Sequence, residues 1–219
     1  MPEWLIEESD VGARVTNGTY RKIVPLPEDT LCSTSIREAM ELFSNFHQSI
    51  PERVRELPVA ANEDGLDAEL WNMCCESMGV LGSWMDSAVA TMPLTDEEWS
   101  LEKEKYPWYT HTTLDKWKFT PRTLSLINDW GIYYGETIRR IDPSLKWELI
   151  TKPRKSIDYH QPVIAGYLRG IEQNPFRKIR VVCRHVVDGR KAENMMVRLY
   201  QIDHPNHDPA SPLRLFDLP

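Results

Sequence analysis

A predicted helix near the middle of the chain carries the side chains best suited to acid–base chemistry. Glu136 lies there beside Tyr133 and Tyr134, and a carboxylate in a helix interior is a candidate general base or a partner for a basic group. Alternatively, Glu136 pairs with Arg139 or Arg140 at helical spacing. No other Asp or Glu is related to Glu136 by spacing, so the sequence does not predict a paired-carboxylate hydrolase.

Three arginines line one face of a later predicted helix. Arg177, Arg180 and Arg184 follow the spacing i, i+3, i+7, and such a stripe suits contacts with phosphate groups. The stripe is short, the chain is acidic overall, and no aromatic stacking motif accompanies it. We therefore expect a solvated or acid-paired face, and we do not expect nucleic-acid binding.

Two further groups of residues have types that hold metals or act as nucleophiles. His204 and His207 could ligate a metal, but Pro205 between them forbids a ligand pair on one helix. Cys183 and His185 are two positions apart, so on a helix they face different ways and do not form a nucleophile–base pair. We predict no catalytic residue, no metal site and no cofactor.

An acidic helix with aromatic neighbours is the clearest candidate for contact with another protein. Its carboxylates would attract a basic partner, and its aromatic side chains would form the apolar centre of the contact. The candidate binding residues in this region are Glu97, Glu98, Trp99, Trp108 and Tyr109. The set of predicted binding residues is completed by Tyr133, Glu136, Arg177, Arg180 and Arg184.

Net charge is unevenly distributed along the chain. Residues 1–119 hold 10 Lys and Arg against 22 Asp and Glu, residues 120–150 hold 4 of each, and residues 151–219 hold 12 against 7. The whole chain has a formal net charge of −7. The acidic front and the basic back either attract each other within the fold or offer two surfaces to partners.

Cysteine content and hydropathy indicate a cytoplasmic protein. The four cysteines include no Cys-x-x-Cys pair, so we expect free thiols in a reducing compartment. The N-terminus is acidic and lacks the apolar stretch of a signal peptide, and no run reaches the length of a membrane span. We therefore expect no contact with membranes, and the sequence does not indicate an oligomeric state.

The element that must position these groups is a helix predicted for residues 120–142. Thr120 supplies an N-cap hydroxyl ahead of a proline at the first helical position. Gly131 and Gly135 lie four apart on its apolar face, where each costs about 1 kcal/mol relative to alanine. Bare backbone at this glycine ridge (Gly131 and Gly135) indicates that another element approaches closely. We expect Trp147, on the strand that follows, to cover the ridge.

The elements after this helix are predicted from helix caps and from the alternation of apolar and polar residues along the strands. Two half-buried strands are expected within residues 145–151 and 162–168. A helix then begins after the Asn174 cap and ends near Asp188, and a last helix covers residues 191–202.

Elements before it are predicted in the same way. A helix begins at Ser35, with Glu38 completing a capping box, and a linker of mixed polarity is predicted for residues 58–64. Residues 66–90 form the longest periodic segment, and we expect a helix with its methionines and tryptophans in the core. A small hairpin is predicted within residues 14–20. The apolar stripe expected for the first helix is Ile36, Met40, Phe43, Phe46, Ile50 and Val54.

Several motifs between residues 120 and 190 occur in a recognisable order. They are Tyr-x-Gly-Glu on a helix (Tyr133 to Glu136), Trp147 on a strand, Pro162-Val163, and Asn174-Pro175-Phe176. This order resembles a module in small cytosolic bacterial proteins, some of which are encoded as immunity proteins beside toxins. The resemblance implies a compact helix–strand–helix scaffold and a protein-binding role.

The predicted fold class is α+β and predominantly helical, with helices packed around a small sheet in the C-terminal half. Residues 1–119 form a mainly helical acidic region, residues 120–202 a helix–strand–strand–helix–helix module, and residues 203–219 an extended Pro-rich tail. We expect these parts to form one compact domain.

The predicted function is that of a non-catalytic protein-binding protein of the immunity type, which acts by occluding a surface of a partner that is itself basic. The alternative is an enzyme or small-ligand binder that uses Glu136 and nearby tyrosines on an anionic substrate.

Overall fold

The computed structural model describes residues 5–6, 19–25, 31, 33–66, 71, 73–105, 115–167 and 170–203. Within these ranges the chain forms helices α1 (Ile36–Glu63), α2 (Cys75–Ala88), α3 (Asp96–Lys105), α4 (Pro121–Ile141), α5 (Pro175–Val187) and α6 (Ala192–Asp203). Antiparallel strands pair as β1 (Leu5–Ile6) with β2 (Val24–Pro25), β3 (Thr91–Pro93) with β4 (Trp117–Phe119), and β5 (Lys146–Leu149) with β6 (Pro162–Ala165). The predominantly helical α+β fold is confirmed.

The central helix, α4, begins and ends as predicted. The Thr120 hydroxyl accepts a hydrogen bond from the backbone N–H of Thr123 at 3.2 Å, and Pro121 lies in the first turn. The helix ends at the C-cap residue Asp142, just before a proline. Most of α4 is buried, because α1, α5 and β2 all pack against it.

The glycine ridge on α4 is covered by two aromatic rings, of which Trp147 over Gly135 is predicted from the sequence and Phe176 over Gly131 is not. A Cβ atom placed on Gly135 would lie 2.4 Å from Cζ2 of Trp147, and one on Gly131 would lie 2.6 Å from Cδ1 of Phe176. Both distances are far below van der Waals contact, so only glycine lets the two rings rest on the backbone. Trp147 belongs to β5 and also contacts Phe46 of α1, with ring centroids 5.1 Å apart. The C-terminal sheet is therefore packed among α4, α1 and α5.

The start of α1 confirms the predicted cap and corrects the predicted apolar stripe. The Ser35 hydroxyl accepts from the N–H of Glu38 at 3.3 Å, and the Glu38 carboxylate accepts from the N–H of Ser35 at 2.7 Å. Ile36 and Met40 are 50% and 60% exposed, so their placement in the stripe is wrong. The buried side of this turn is centred on Ala39 instead, which is 1% exposed.

The linker predicted for residues 58–64 is also wrong, because α1 continues through Pro51 and Pro58 to its end at residue 63. Each interior proline removes a helix hydrogen bond and is normally unfavourable. Here Leu57 and Ala60 are fully buried, and packing of a helix face contributes more to helix stability than local propensity does.

The helix predicted over residues 66–90 is shorter in the structure, since α2 begins at Cys75. Met73 has a φ of 56° and Cys74 is extended, which prevents helix formation there. The N–H of Met73 donates to the Tyr133 hydroxyl at 2.9 Å, and this tertiary contact holds the turn. The expected core role is confirmed by Met78, Leu81, Trp84 and Met85, which are all fully buried.

The last two helices match their predictions. The Asn174 side chain accepts from the N–H of Arg177 at 3.0 Å at the start of α5, and α5 ends with Asp188 as its C-cap. The helix expected for residues 191–202 is α6, which extends one residue further, to Asp203.

Several predicted features lie outside the described residues. These are Trp108 and Tyr109, His204 and His207, nearly all of the hairpin at residues 14–20, and the tail beyond residue 203.

Candidate functional site

The Glu136 carboxylate is committed to contacts within the fold. Its Oε1 accepts hydrogen bonds from Arg139 Nη1 at 2.6 Å and from Trp147 Nε1 at 2.7 Å. The predicted pairing with Arg139 is confirmed. The second contact shows a further role, because the carboxylate holds the indole of Trp147 on the glycine ridge.

The two tyrosines near Glu136 bond to other partners. The Tyr133 hydroxyl donates to Ser77 Oγ at 3.0 Å, and burial raises the pKa of this phenol. The Tyr134 hydroxyl donates to Asp203 Oδ2 at 2.6 Å. The structure therefore directs Glu136, Tyr133 and Tyr134 to three different places rather than assembling them into one site.

A buried ionic cluster around Asp129 is not predicted from the sequence. Arg53 donates from Nε to Oδ1 of Asp129 at 2.8 Å and from Nη2 to Oδ2 at 2.5 Å. Tyr20 donates to the same Oδ2 at 2.5 Å and lies 2.7 Å from Ser125 Oγ. Arg53 and Asp129 are each 1% exposed. Because their partners are distant in the chain, no local spacing indicates this cluster.

Burial and electrostatic attraction have opposite effects on the pKa values of Arg53 and Asp129. Burial raises the pKa of Asp129, and the bonds from Arg53 counteract that change. Burial alone would lower the pKa of Arg53, but the bonds and the charge of Asp129 raise it overall. The bidentate contact offsets part of the cost of burying the two groups, and the cluster joins the segment at residues 19–25 to α1 and α4.

The acidic helix α3 lies on the surface, and no side chain described in it is buried. The N–H of Glu98 donates to Thr95 Oγ1 at 3.2 Å, which confirms the capping box. Glu98 also accepts from Lys118, and this bond lowers the pKa of its carboxyl group. Glu97 is exposed, so it is a carboxylate available to a partner.

Lysines also surround the aromatic residue of α3. The ammonium groups of Lys103 and Lys116 lie 5.8 and 5.6 Å from the ring centroid of Trp99, within the range of cation–π attraction. These lysines reduce the negative charge of the surface that the sequence assigns to a basic partner.

The arginine stripe on α5 is largely paired with acids. Arg177 Nη2 donates to Asp158 Oδ1 at 2.8 Å, and Arg184 forms an ion pair with Asp115. The second pair joins the basic back of the chain to its acidic front. Arg180 instead lies in the wall of a small cavity.

A groove between α5 and α6 places basic side chains around an apolar floor. Its volume is about 290 Å³, near the lower end of the range for ligand pockets. The apolar lining residues are Val181, Val182, Met195, Leu199 and Ile202, and the basic ones are Arg177, Lys178, His185, Arg190 and Arg198. We refer to it as the α5–α6 groove.

Two arginines of this groove have no partner within the described part of the chain. Lys178 is paired with Asp203, but the side chains of Arg190 and Arg198 make neither an ion pair nor a hydrogen bond with any described residue. Both also line a second hollow of about 620 Å³. Beside them, Val181 is 39% exposed. Positive charge and apolar surface are therefore both accessible here.

Arg190 and Arg198 are functional candidates that the sequence does not indicate. Arg190 lies in the turn after α5, and Arg198 lies on α6. Because the two belong to different elements, no helical or strand spacing relates them, and only the packing of α5 against α6 brings them together.

No family model matches the chain, and neither the curated proteins nor the solved structures include a significant match. Among the residues that the structure describes, no helix is both long and apolar enough to span a membrane. The same residues contain no group of three or more His, Cys, Asp or Glu side chains placed to hold a metal ion.

Proposed function

We propose that this protein binds another protein without catalysis and acts by occluding its partner's surface, with the α5–α6 groove as the contact. The observation that carries the proposal is that Arg190 and Arg198 have no acidic partner among the described residues and line a groove beside the exposed side chain of Val181. Arginine is enriched among the residues that contribute most to contacts between proteins, and the buried core of such a contact is more apolar than its rim.

The partner segment that fits this groove is acidic and amphipathic. Its carboxylates would pair with Arg190 and Arg198, and its apolar side chains would cover Val181 and the partly exposed Ile202. Complementary charge speeds association and selects among partners. This differs from the basic partner predicted from the acidic front of the chain, because lysines already offset part of that charge around Glu98 and Trp99.

A basic partner at α3 is the second candidate. It is favoured by the exposure of Glu97 and by Leu101, which is 59% exposed on the same helix. The acidic first turn would attract a basic segment, and Leu101 would contact the apolar side chains of that segment.

The proposed setting is the cytoplasm, and the proposed role is of the immunity type that the resemblance implies. Support for a reducing compartment comes from Cys74, Cys75 and Cys183, which are free thiols. An immunity-type protein needs only to cover a functional surface of its partner, so a groove without catalytic groups is sufficient for the role.

Site-specific photo-crosslinking in a lysate of the native host tests the proposal. A photoreactive amino acid replaces Val181 in the groove, Leu101 on α3, or the exposed Ile171 as a control. We expect one protein, identified by mass spectrometry, to be linked through position 181 and not through position 171. Linkage only through position 101 would support the second candidate and overturn the first.

Charge reversal provides the matched control. The double variant Arg190→Glu and Arg198→Glu should lose the crosslink at position 181. A second double variant, Arg154→Glu and Lys155→Glu, changes the same charge on an exposed turn elsewhere and should retain it. Equal loss in both variants would indicate a non-specific charge effect and contradict the groove as the contact.

A further inference from the structure

One side of α3 is exposed to solvent and carries both negative charge and an apolar side chain. Glu97, Leu101 and Glu104 follow the spacing i, i+4, i+7, which places them on one side of a helix. All three are exposed, and the two glutamates are about 10 Å apart along the helix axis. We refer to these three residues as the α3 face. It presents a leucine between two carboxylates.

The lysines near α3 contact its other side. Lys118 pairs with Glu98, and the ammonium groups of Lys103 and Lys116 lie beside the ring of Trp99. Glu98 and Trp99 are half-buried and lie opposite the α3 face around the helix. The two carboxylates of the α3 face make neither an ion pair nor a hydrogen bond with any residue that the structure describes. Their charge is therefore available to a binding partner.

The α5–α6 groove has the complementary arrangement. Arg190 and Arg198 supply positive charge, and the exposed Val181 supplies apolar surface beside them. Arg190 lies just before α6, and Arg198 lies six positions after its first residue, Ala192, or about 9 Å along the helix axis. The long arginine side chains can therefore span a distance like that between the two carboxylates of the α3 face.

The groove also has room for the leucine of the α3 face. Its volume of about 290 Å³ exceeds the roughly 150 Å³ of a cavity that holds benzene, and benzene is larger than a leucine side chain. A single side chain can therefore enter the groove while the rest of α3 stays outside it, with its carboxylates at the rim.

The two surfaces do not meet within one molecule. Leu101 is exposed, and the two arginines of the groove have no acidic partner in the described chain. Their elements are nevertheless connected, because Lys116 lies over Trp99 of α3 while Asp115 pairs with Arg184 of α5. Two copies related by a twofold axis can therefore make the same contact twice, which closes the assembly as a dimer.

We propose that the α5–α6 groove also receives the α3 face of a second copy of this chain, so that the protein forms a weak dimer through two identical contacts. Each copy has a formal net charge of −7, which opposes association. Screening over about 8 Å at physiological ionic strength limits this repulsion to nearby groups, and the nearby groups are of opposite sign.

Self-association of this kind regulates the groove. The dimer rests on the proposed function, because it uses the groove assigned above to another protein. An acidic segment of that other protein would compete with the α3 face for the same arginines. Binding of the partner would therefore dissociate the dimer.

Analytical ultracentrifugation of the purified full chain measures the self-association. We expect the weight-average mass to rise from 25.5 kDa towards twice that value between about 1 and 100 μM protein. Leu101→Ser removes the apolar centre of both contacts and should weaken dimerisation at least about tenfold.

Charge reversal on each surface identifies the contact. The groove variant, Arg190→Glu with Arg198→Glu, should be monomeric, and so should the α3 variant, Glu97→Lys with Glu104→Lys. An equimolar mixture of the two should dimerise again, because each reversed surface then meets a reversed surface and each unchanged surface an unchanged one. Recovery in the mixture also shows that both variants are folded.

A matched control reverses two charges elsewhere. Arg154→Glu with Lys155→Glu, on an exposed turn, should dimerise as the wild type does. A wild-type mass that stays at 25.5 kDa up to about 100 μM, dimers that persist in either reversed variant, or a mixture that stays monomeric would each overturn the proposal.

The crosslink from position 181 in the lysate separates this proposal from the proposed function. A monomeric wild-type protein that still links to a different protein would overturn only the dimer. A dimer that links to no other protein would overturn only the proposed function.

Discussion

Arg53 and Arg198 are the same type of residue in opposite environments. Arg53 is 1% exposed and bonded in two places to Asp129. Arg198 lies at the surface of the α5–α6 groove without an acidic partner in the described chain. A buried charge must be paired because water cannot solvate it, whereas an accessible charge can remain unpaired at little cost. Unpaired charges beside apolar surface are therefore the better indicators of function.

The same contrast applies to charged residues on α4 and α5 that the sequence predicts to bind a partner. Glu136 and Arg177 are charged and partly buried, but each is paired within the fold. These side chains stabilise local structure, and their positions in the sequence do not distinguish that role from binding. If this contrast holds, removal of a paired interior group should lower the free energy of unfolding more than a change at an accessible position.

The largest loss of stability is expected for Asp129→Ala. It leaves the Arg53 guanidinium buried without a counter-charge and should lower the free energy of unfolding by about 3–5 kcal/mol. The double variant Arg53→Met and Asp129→Leu removes both charges. Its free energy of unfolding should fall by less than that of Asp129→Ala. Denaturant unfolding measures both. A single variant within about 1 kcal/mol of the wild type would show that water or a rearranged group replaces the contact.

Substitutions in the glycine ridge should have the next largest effect. Gly135→Leu should destabilise the fold by about 1–3 kcal/mol or more, because the ring of Trp147 occupies the space that the side chain needs. Gly135→Ala should also destabilise it, since even a Cβ atom would lie 2.4 Å from Cζ2 of that ring.

Gly79 in α2 provides the matched control. A Cβ atom there would lie 3.7 Å from its nearest neighbour, on Val197, so Gly79→Ala should stabilise the protein by about 0.5–1 kcal/mol through helix propensity alone. If both alanine variants changed the denaturation midpoint in the same direction, the packing explanation for Gly135 would fail.

A buried helix cap should contribute more to the free energy of unfolding than an exposed one. Asn174 is 5% exposed and also donates to Asp158 and Gln161, so Asn174→Ala should cost about 2 kcal/mol, at the upper end of the range for caps. Thr95 is exposed and caps a surface helix, so Thr95→Ala should cost about 0.5 kcal/mol. Thermal unfolding compares the two variants, and equal losses would contradict the distinction.

Thiol reactivity should also follow burial. Cys183 is fully buried, and burial raises the pKa of its thiol, so it should resist a thiol reagent in the native protein. Cys74 and Cys75 are partly exposed and should react sooner. In the unfolded, unreduced protein, all four cysteines should react, and a count of two would reveal a disulfide.

Local signals in the sequence predict much of this fold. The caps at Ser35, Thr95, Thr120 and Asn174 depend on residues no more than three positions away, and all four are confirmed. The cover over the glycine ridge is also predictable, because two glycines on an apolar face need a neighbour and Trp147 follows on the next strand.

Features that depend on distant parts of the chain are not predictable in this way. α1 passes through Pro51 and Pro58 because its far end is buried by tertiary contacts. Arg53 and Asp129 are 76 positions apart, and Arg190 and Arg198 line the same groove only because α5 and α6 pack together. The candidate groove therefore depends on the structure, whereas the arginine stripe on α5 is evident from the sequence and is mostly paired with acids.

The most direct test of the central claim is the association rate with the crosslinked partner at low and high salt. For the wild-type protein we expect the rate to fall as salt rises, because screening acts over about 8 Å at physiological ionic strength. The double variant Arg190→Glu and Arg198→Glu should associate far more slowly at low salt while its free energy of unfolding changes by no more than about 0.5 kcal/mol. An unchanged rate in this variant, with a reduced rate in Glu97→Lys, would place the contact on α3 and contradict the account.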